Sequence, residues 1–165
     1  MLIQNGPPRA EGLAGRSLGR PPLILCATPG YLRSHPAPAD PAELANHALL
    51  IAGESVTELR LSRGAKQTVQ LPVNARLVVN DPAVIHAATA ASAGIGVLPE
   101  FLCRQGIAMG KLTRVLPEWI ASDLLDLYAV SDLRRARYPQ VTALIEFLAA
   151  NMVPVLGTGA SKAGE

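Results

Sequence analysis

Thr28-Pro29 and Asp81-Pro82 are two positions in the chain that place a side-chain oxygen directly before a proline. A hydroxyl or carboxylate there caps the first turn of a helix, and proline is favoured at the first helical residue. The N-terminus of a helix has unpaired N–H groups and partial positive charge, which suit a carboxylate or another anion. The chemistry that these positions allow is therefore the binding of a small anion. Asn80 directly precedes Asp81, and its amide is able to turn toward the same ligand.

Each of these residues also has a purely structural interpretation. Thr28 is explained equally well as a plain N-cap without any contact to a ligand. For Asp81 the cap is the favoured interpretation, because its carboxylate would repel an anionic ligand. For Asn80, which lies just outside the cap, ligand contact is the less favoured of the two interpretations.

The segment Ala93-Gly94-Ile95-Gly96 superficially resembles a dinucleotide-binding loop. Its glycines follow a predicted helix and precede a predicted strand, which reverses the order in that motif. Gly94 is better explained as the residue that ends the helix. Gly96 lies on the strand, where the lack of a side chain lets another backbone or a ligand approach closely. We therefore expect the backbone of Gly96 and Val97 to form a hinge and to contact a ligand.

The sequence offers little for catalysis or for metal binding. His35, His47 and His86 form no close sequence pair with one another or with a cysteine, which argues against zinc. Neither a Gly-x-Ser-x-Gly motif nor an acid–base constellation is present, so we expect no enzymatic activity. Cys26 and Cys103 lie on separate apolar segments, where buried free thiols are favoured over a disulfide.

The composition is that of one globular domain, with 165 residues, 49% hydrophobic and 17% charged. The net charge of +2 is too small to indicate nucleic-acid binding. The densest basic run, Arg134-Arg135-Ala136-Arg137, is interpreted as a solvated loop in preference to a contact with DNA phosphates. The apolar runs are strand-sized and no signal peptide is evident, so we expect a cytoplasmic protein.

Strands and helices are predicted to alternate along the chain, which places it in the α/β class. Residues 1–22 contain proline and glycine without an apolar period and are predicted to be irregular. Strands are predicted at 23–27, 59–62, 68–71, 74–79, 95–98, 112–116 and 124–130. Helices are predicted to begin after Thr28, after Asp40, after Asp81, at Glu100 and at Pro139, with the fourth ending at Gly106 and a frayed tail after Val155.

Six segments follow one another in register over residues 13–150. They are Cys26-Ala27-Thr28-Pro29-Gly30-Tyr31-Leu32, Pro41-Ala42-Glu43-Leu44-Ala45-Asn46-His47, Val78-Val79-Asn80-Asp81-Pro82, Ala93-Gly94-Ile95-Gly96-Val97-Leu98-Pro99, Gly110-Lys111-Leu112-Thr113-Arg114-Val115-Leu116-Pro117-Glu118-Trp119 and the final helix 139–148. Together they resemble the effector-binding domain of LysR-type transcriptional regulators. None is distinctive alone, and the resemblance rests on their common order.

The resemblance implies an α/β fold of the type II periplasmic-binding-protein kind, in which two lobes are joined by crossing strands and a small molecule binds between them. The crossing strands would be 23–27 and 95–98, so that residues 23–98 would include one complete lobe. Residues 99–152 would be the returning part of a partial lobe, 1–22 an irregular lead-in and 153–165 a disordered tail. The rest of that lobe and the family's DNA-binding helix-turn-helix would lie before Met1.

The resemblance also implies a sensor for a small anionic metabolite, with effector contacts at Thr28, Asn80, Asp81, Gly96 and Val97. We expect no cofactor and no metal, a homo-oligomer, contact with DNA only through a helix-turn-helix absent from this chain, and no membrane association. Two alternatives remain. One is a non-functional or self-associating remnant of such a regulator, and the other is a solute-binding protein of the same fold.

Overall fold

The structure is a computed structural model that describes residues 1–53, 56–64, 67–122, 125–134 and 138–156, without the side chains of 153–155. Its strands are β1 Leu2–Asn5, β2 Leu13–Gly19, β3 Leu23–Ala27, β4 Leu49–Ala52, β5 Glu58–Arg63, β6 Gln67–Pro72, β7 Ala75–Val79, β8 Ile95–Pro99, β9 Thr113–Val115, β10 Ile120–Ala121 and β11 Leu127–Asp132. Its α-helices are α1 Pro29–Ser34, α2 Pro82–Ala90, α3 Glu100–Ala108 and α4 Pro139–Leu156, and a 3-10 helix spans Pro41–Asn46. The predicted α/β class is confirmed.

The chain divides into two compact units. The first consists of Met1–Pro22 and Leu125–Glu165, and the second is Leu23–Leu124. We refer to them as unit 1 and unit 2.

Unit 2 is built on an eight-stranded sheet in the order β6-β5-β10-β3-β8-β4-β7, with β9 also paired to β3. Strands β3 and β8 lie at its centre and are buried at every residue, as the continuous apolar pattern predicts. On one face of the sheet, Ile24 and Cys26 pack with Ile85 of α2 and Cys103 of α3. The strands predicted at 59–62 and 68–71 are also present as β5 and β6, which pair antiparallel with Leu59 opposite Leu71.

Two predicted helix ends are wrong, and in both cases close packing explains the glycine better than a helix end does. Helix α2 ends at Ala90, and the left-handed residue after it is Ser92, with φ 63°. Gly94 is needed because a Cβ there would lie 2.2 Å from the carbonyl oxygen of Ala48. Helix α3 continues through Gly106 to Ala108, and a Cβ on Gly106 would lie 2.9 Å from Leu112 Cδ1.

Unit 1 contains a three-stranded antiparallel sheet in the order β1-β11-β2, with α4 packed against β2. The prediction that residues 1–22 are irregular is therefore wrong. Strands β1 and β2 form without a long apolar run, because backbone hydrogen bonds to β11 hold each of them. Leu2, for example, lies opposite Val130. Arg20 and Asp126 add an ion pair of 2.8 Å within the same unit.

The division into units also differs from the predicted lobes. Residues 99–121 were assigned by the resemblance to the returning lobe, but β9 and β10 pair with β3 in the sheet of unit 2. Helix α3 likewise packs on β3 and β8. The chain therefore passes from unit 2 to unit 1 after Leu124 instead of after strand β8. The predicted tail, 153–165, is wrong for its first four residues, which form the end of helix α4. The rest of it, from residue 157 onward, lies outside the described residues.

Candidate functional site

Helix α2 begins where the sequence predicts, and its first turn is capped by Asp81. The Asp81 carboxylate accepts a hydrogen bond of 2.8 Å from the Ala83 N–H, and the Asp81 carbonyl accepts one of 3.2 Å from the Val84 N–H. These bonds engage the backbone donors that a ligand would otherwise find at this end. Asn80, directly before the cap, is exposed. The geometry therefore gives Asp81 a structural role and leaves the Asn80 amide accessible.

Thr28 is the N-cap of α1 and also links that helix to the segment after α2. Its Oγ1 accepts a hydrogen bond of 3.1 Å from the Tyr31 N–H. The same oxygen lies 2.6 Å from Ser92 Oγ in a second hydrogen bond. Thr28 is buried, which limits the access of a ligand to its hydroxyl.

The structure does not bring Thr28 and Asn80 together. Strand β3 is antiparallel to β8, whereas β4 and β7 are parallel to β8. Val97 of β8 lies opposite Leu25 of β3 on one side and opposite Ile51 of β4 on the other. Ile51 in turn lies opposite Val78 of β7, so these residues form one row across the sheet. Asn80 lies two residues beyond this row toward the C-terminal end of β8, and Thr28 lies three residues beyond it toward the N-terminal end of β8. At ~3.3 Å per residue, the two residues are about 16 Å apart along the strand direction. The two residues are therefore at opposite ends of the sheet.

Gly96 and Val97 are buried within unit 2. A Cβ on Gly96 would lie 2.1 Å from Thr89 Oγ1, so the glycine lets α2 pack closely on β8. Val97 alternates to the opposite face of the sheet and is 1% exposed. The close approach predicted at Gly96 is made by a helix side chain.

The end of the sheet that contains Thr28 also has a cavity of about 290 Å³. Its lining residues come from α1, the 3-10 helix, β7 and the segment after α2. They are Gly30, Tyr31, Ser34, His35, Asn46, Ala48, Arg76, Ser92 and Ala93. We refer to this cavity as the α1 pocket. A neighbouring cavity of about 290 Å³ is more apolar and is lined by Leu44, Ala45, His47, Leu49, Pro72, Val73 and Asn74.

A tyrosine–histidine cluster lies beside the α1 pocket. The Tyr31 hydroxyl accepts a hydrogen bond of 3.2 Å from the Ala48 N–H and lies 3.3 Å from His47 Nδ1. His35 stacks on the Tyr31 ring with centroids 4.5 Å apart, and the two imidazoles are 6.5 Å apart. Burial, followed by the charge of His35, lowers the pKa of His47, and Glu43 opposes this shift. The spacing of Tyr31 and His35 is that of neighbouring side chains one helical turn apart, whereas His47 is brought to them only by the chain fold.

Cys26 and Cys103 are free and fully buried, which confirms the favoured interpretation. Their mutual hydrogen bond and their burial raise the pKa of Cys26. Within the described residues, no group of three or more His, Cys, Asp or Glu side chains is arranged to hold a metal ion. In the same part of the chain, no helix combines the length and apolar character needed to span a membrane.

Comparison with known families decides the assignment. The sequence pattern of the LysR substrate binding domain matches residues 1–153. The chain belongs to the LysR substrate-binding domain family. A probable HTH-type transcriptional regulator, LtrA of Klebsiella pneumoniae, is 33% identical over 158 residues, which are 93% of this chain and 50% of that protein. PtxR of Pseudomonas aeruginosa, an HTH-type transcriptional regulator, is 32% identical over 154 residues, covering 90% of this chain and 47% of that protein. This LysR domain thus spans about half the length of the curated relatives it matches.

Solved structures agree with this assignment. The regulatory domain of AphB from Vibrio vulnificus matches with a TM-score of 0.68 and 28% identity, over 90% of this chain and 73% of that one. The full-length virulence activator AphB of Vibrio cholerae, a member of the same regulator family, matches with a TM-score of 0.71 and 27% identity, over 90% and 50%. The fold of this LysR domain is therefore that of these regulatory domains, which are of the type II periplasmic-binding-protein kind.

Proposed function

We propose that this LysR domain senses a small organic anion at the end of unit 2 where helix α2 begins. The observation that carries the proposal is the exposed amide of Asn80 beside a fully capped helix start. An asparagine amide donates two hydrogen bonds, which suits a carboxylate acceptor. Strand β3 begins at this same end of the sheet, at the residue where unit 2 starts.

The other predicted contact residues take supporting roles in the proposal. Asp81 holds the Asn80 loop by capping α2 and does not itself touch the anion, because two carboxylates would repel each other. Gly96 sets the position of α2 on the sheet, because it lets Thr89 approach closely. Val97 is buried on the opposite face of the sheet and supports the strand from that side. Thr28 belongs to the opposite end and does not contact this ligand.

The biological setting follows from the family. The domain would be the sensing part of a cytoplasmic transcriptional regulator that forms homo-oligomers, and its role would be binding without catalysis, cofactor or metal. Operator DNA would be bound by a helix-turn-helix, the DNA-binding motif that the names of the relatives include. Residues 1–153 do not supply this motif, because they match the substrate-binding domain. The regulator would have two arrangements with different affinities for the ligand, and binding would shift the equilibrium toward the arrangement of higher affinity.

A thermal-unfolding screen with small carboxylates tests this function. A ligand at about one hundred times its Kd stabilises the folded chain by ~2.7 kcal/mol. Asn80→Ala should remove this stabilisation, whereas Asn151→Ala, which changes another exposed asparagine, should retain it. Asp81→Asn should retain or increase it, because the cap is kept and a negative charge is removed. If a chain shown to be folded is stabilised by none of the carboxylates, the remnant alternative is favoured instead.

A further inference from the structure

We propose that the α1 pocket is a second ligand site, separate from the Asn80 end, and that it binds a small hydroxycarboxylate. The pocket lies wholly within unit 2 and at the opposite end of its sheet.

The charge around the pocket favours an anion. Arg76 lines it, and no Asp or Glu is among the nine lining residues. Arg33 adds a second cation, because its Nη2 lies 3.6 Å from the point where a Cβ on Gly30 would be. Two guanidinium groups near one small cavity suit a carboxylate, which they bind through charge-assisted hydrogen bonds.

Hydrogen bonds within the chain reduce the negative potential at the end of helix α2 beside the pocket. The last carbonyls of a helix normally carry partial negative charge, which would repel an anion. Here the carbonyls of Ala87, Ala88 and Thr89 accept hydrogen bonds from the N–H groups of Ala91, Ala93 and Ser92. Three carbonyls at this end of α2 are thus engaged within the chain, which leaves the guanidinium groups as the full charges beside the pocket.

The walls of the pocket are held in place before any ligand binds. Tyr31 is fixed by the Ala48 N–H and by the stacked ring of His35. Ser92 has φ 63°, a conformation that costs a non-glycine residue free energy, and it directs its hydroxyl to Thr28 at 2.6 Å. Backbone strain of this kind is often found at binding sites, where it keeps a side chain in position.

The size and polarity of the pocket define the ligand. A cavity of about 290 Å³ is at the lower end of the range for small-molecule sites. The Asn46 side-chain amide can bond a ligand hydroxyl. The hydroxyls of Ser34 and Ser92 already bond Tyr31 and Thr28, but each oxygen has two lone pairs and can still accept a hydrogen bond from the ligand. A carboxylate with one or two hydroxyl groups and no more than roughly ten non-hydrogen atoms matches these features.

Nuclear magnetic resonance on the full chain tests this site, with sodium L-lactate and sodium glycerate as probes. We expect saturable shifts of the His35 ring protons and of the Ser92 amide, while sodium chloride at equal ionic strength should not produce them. Arg76→Gln should weaken binding about tenfold, the effect of losing one charged hydrogen bond. Arg104→Gln, which changes an exposed arginine of α3 outside the pocket, should leave the affinity unchanged.

A second variant adds charge without changing size. Asn46→Asp is nearly isosteric, and its carboxylate should weaken lactate binding. The proposal is overturned if His35 and Ser92 show no saturable shift, or if Arg76→Gln and Asn46→Asp bind the probes as the wild type does. Asn80→Ala should leave these shifts unchanged, so that failure at this pocket and failure at the Asn80 end are told apart.

Discussion

Ser92 shows how one residue combines strain and attachment. Its left-handed backbone would suit glycine, but its hydroxyl ties the end of α2 to the cap of α1. Ser92→Ala should keep the strain and lose the bond, so that it destabilises the fold by about 1 kcal/mol. Ser92→Gly should be close to wild type in stability, because relief of strain offsets the lost bond. Urea unfolding of both variants measures this difference, and equal loss in the two would contradict it.

His47 should make the stability of the fold depend on pH. Its pKa is below the ordinary 6.5 in the folded chain, so the unfolded chain binds more protons as the pH falls through that value. The contribution of His47 is therefore complete above about pH 6.5 and is lost as the pH falls further. The stability of the wild type relative to His47→Gln should decrease on acidification, as measured by urea midpoints from about pH 8 to about pH 5.5. If the stability of the wild type relative to His47→Gln instead increased on acidification, folding would raise the pKa of His47 and the account would be contradicted.

The residues of the α1 pocket could not be predicted as a group from the sequence. Tyr31 and His35 are only one helical turn apart at α1, but Arg76 lies on β7, and the sheet register brings it to the same end. For the same reason Thr28 and Asp81 were expected at a common cleft. Their shared capping chemistry is local and was recognised, whereas their position depends on β3 being antiparallel to β7 across β8 and β4.

At the scale of elements, the helix starts were predictable and several strands were not. The caps at Thr28, Asp40 and Asp81 are all present, because each depends only on neighbouring residues. Strands β1 and β2 escaped prediction because their partner β11 is more than a hundred residues away, as in the pair Leu2 and Val130. A strand stabilised by distant backbone pairing needs no local apolar period.

The packing of α2 on β8 yields a prediction for two elements together. Gly96→Ala should destabilise the fold by roughly 1–3 kcal/mol, because its Cβ would overlap Thr89 Oγ1. Adding Thr89→Ala should recover part of this loss, since the nearest overlapping atom is removed. A double-mutant cycle by chemical denaturation measures the coupling. Strict additivity of the two effects would show that the overlap is relieved in another way.

At the scale of the whole molecule, the hydrophobic core is concentrated in unit 2. Most of the fully buried large side chains belong to its sheet and helices, including Leu25, Leu50, Leu61 and Leu98. In unit 1, by contrast, Leu2 and Phe147 are exposed, with Phe147 at 61%. Large exposed apolar side chains favour association, in keeping with the homo-oligomer proposed for this domain.

Unit 2 should therefore fold when it is produced alone. We expect residues 23–124 to give a single cooperative unfolding transition and a dispersed amide spectrum, because the sheet and its covering helices are all retained. The amide shifts of β3, β4 and β8 should match those of the full chain. A spectrum without dispersion would mean that this unit depends on the rest of the chain for its stability.

The central claim is that a small anion is recognised by Asn80 at the start of α2, and the most direct measurement is to locate the ligand. The carboxylate that stabilises the domain most in the thermal screen would be titrated into the isotopically labelled full chain and followed by nuclear magnetic resonance. We predict saturable shifts of the Asn80 side-chain amide and of the Ala83 and Val84 backbone amides. Saturable binding that leaves the Asn80 amide unmoved would contradict the claim.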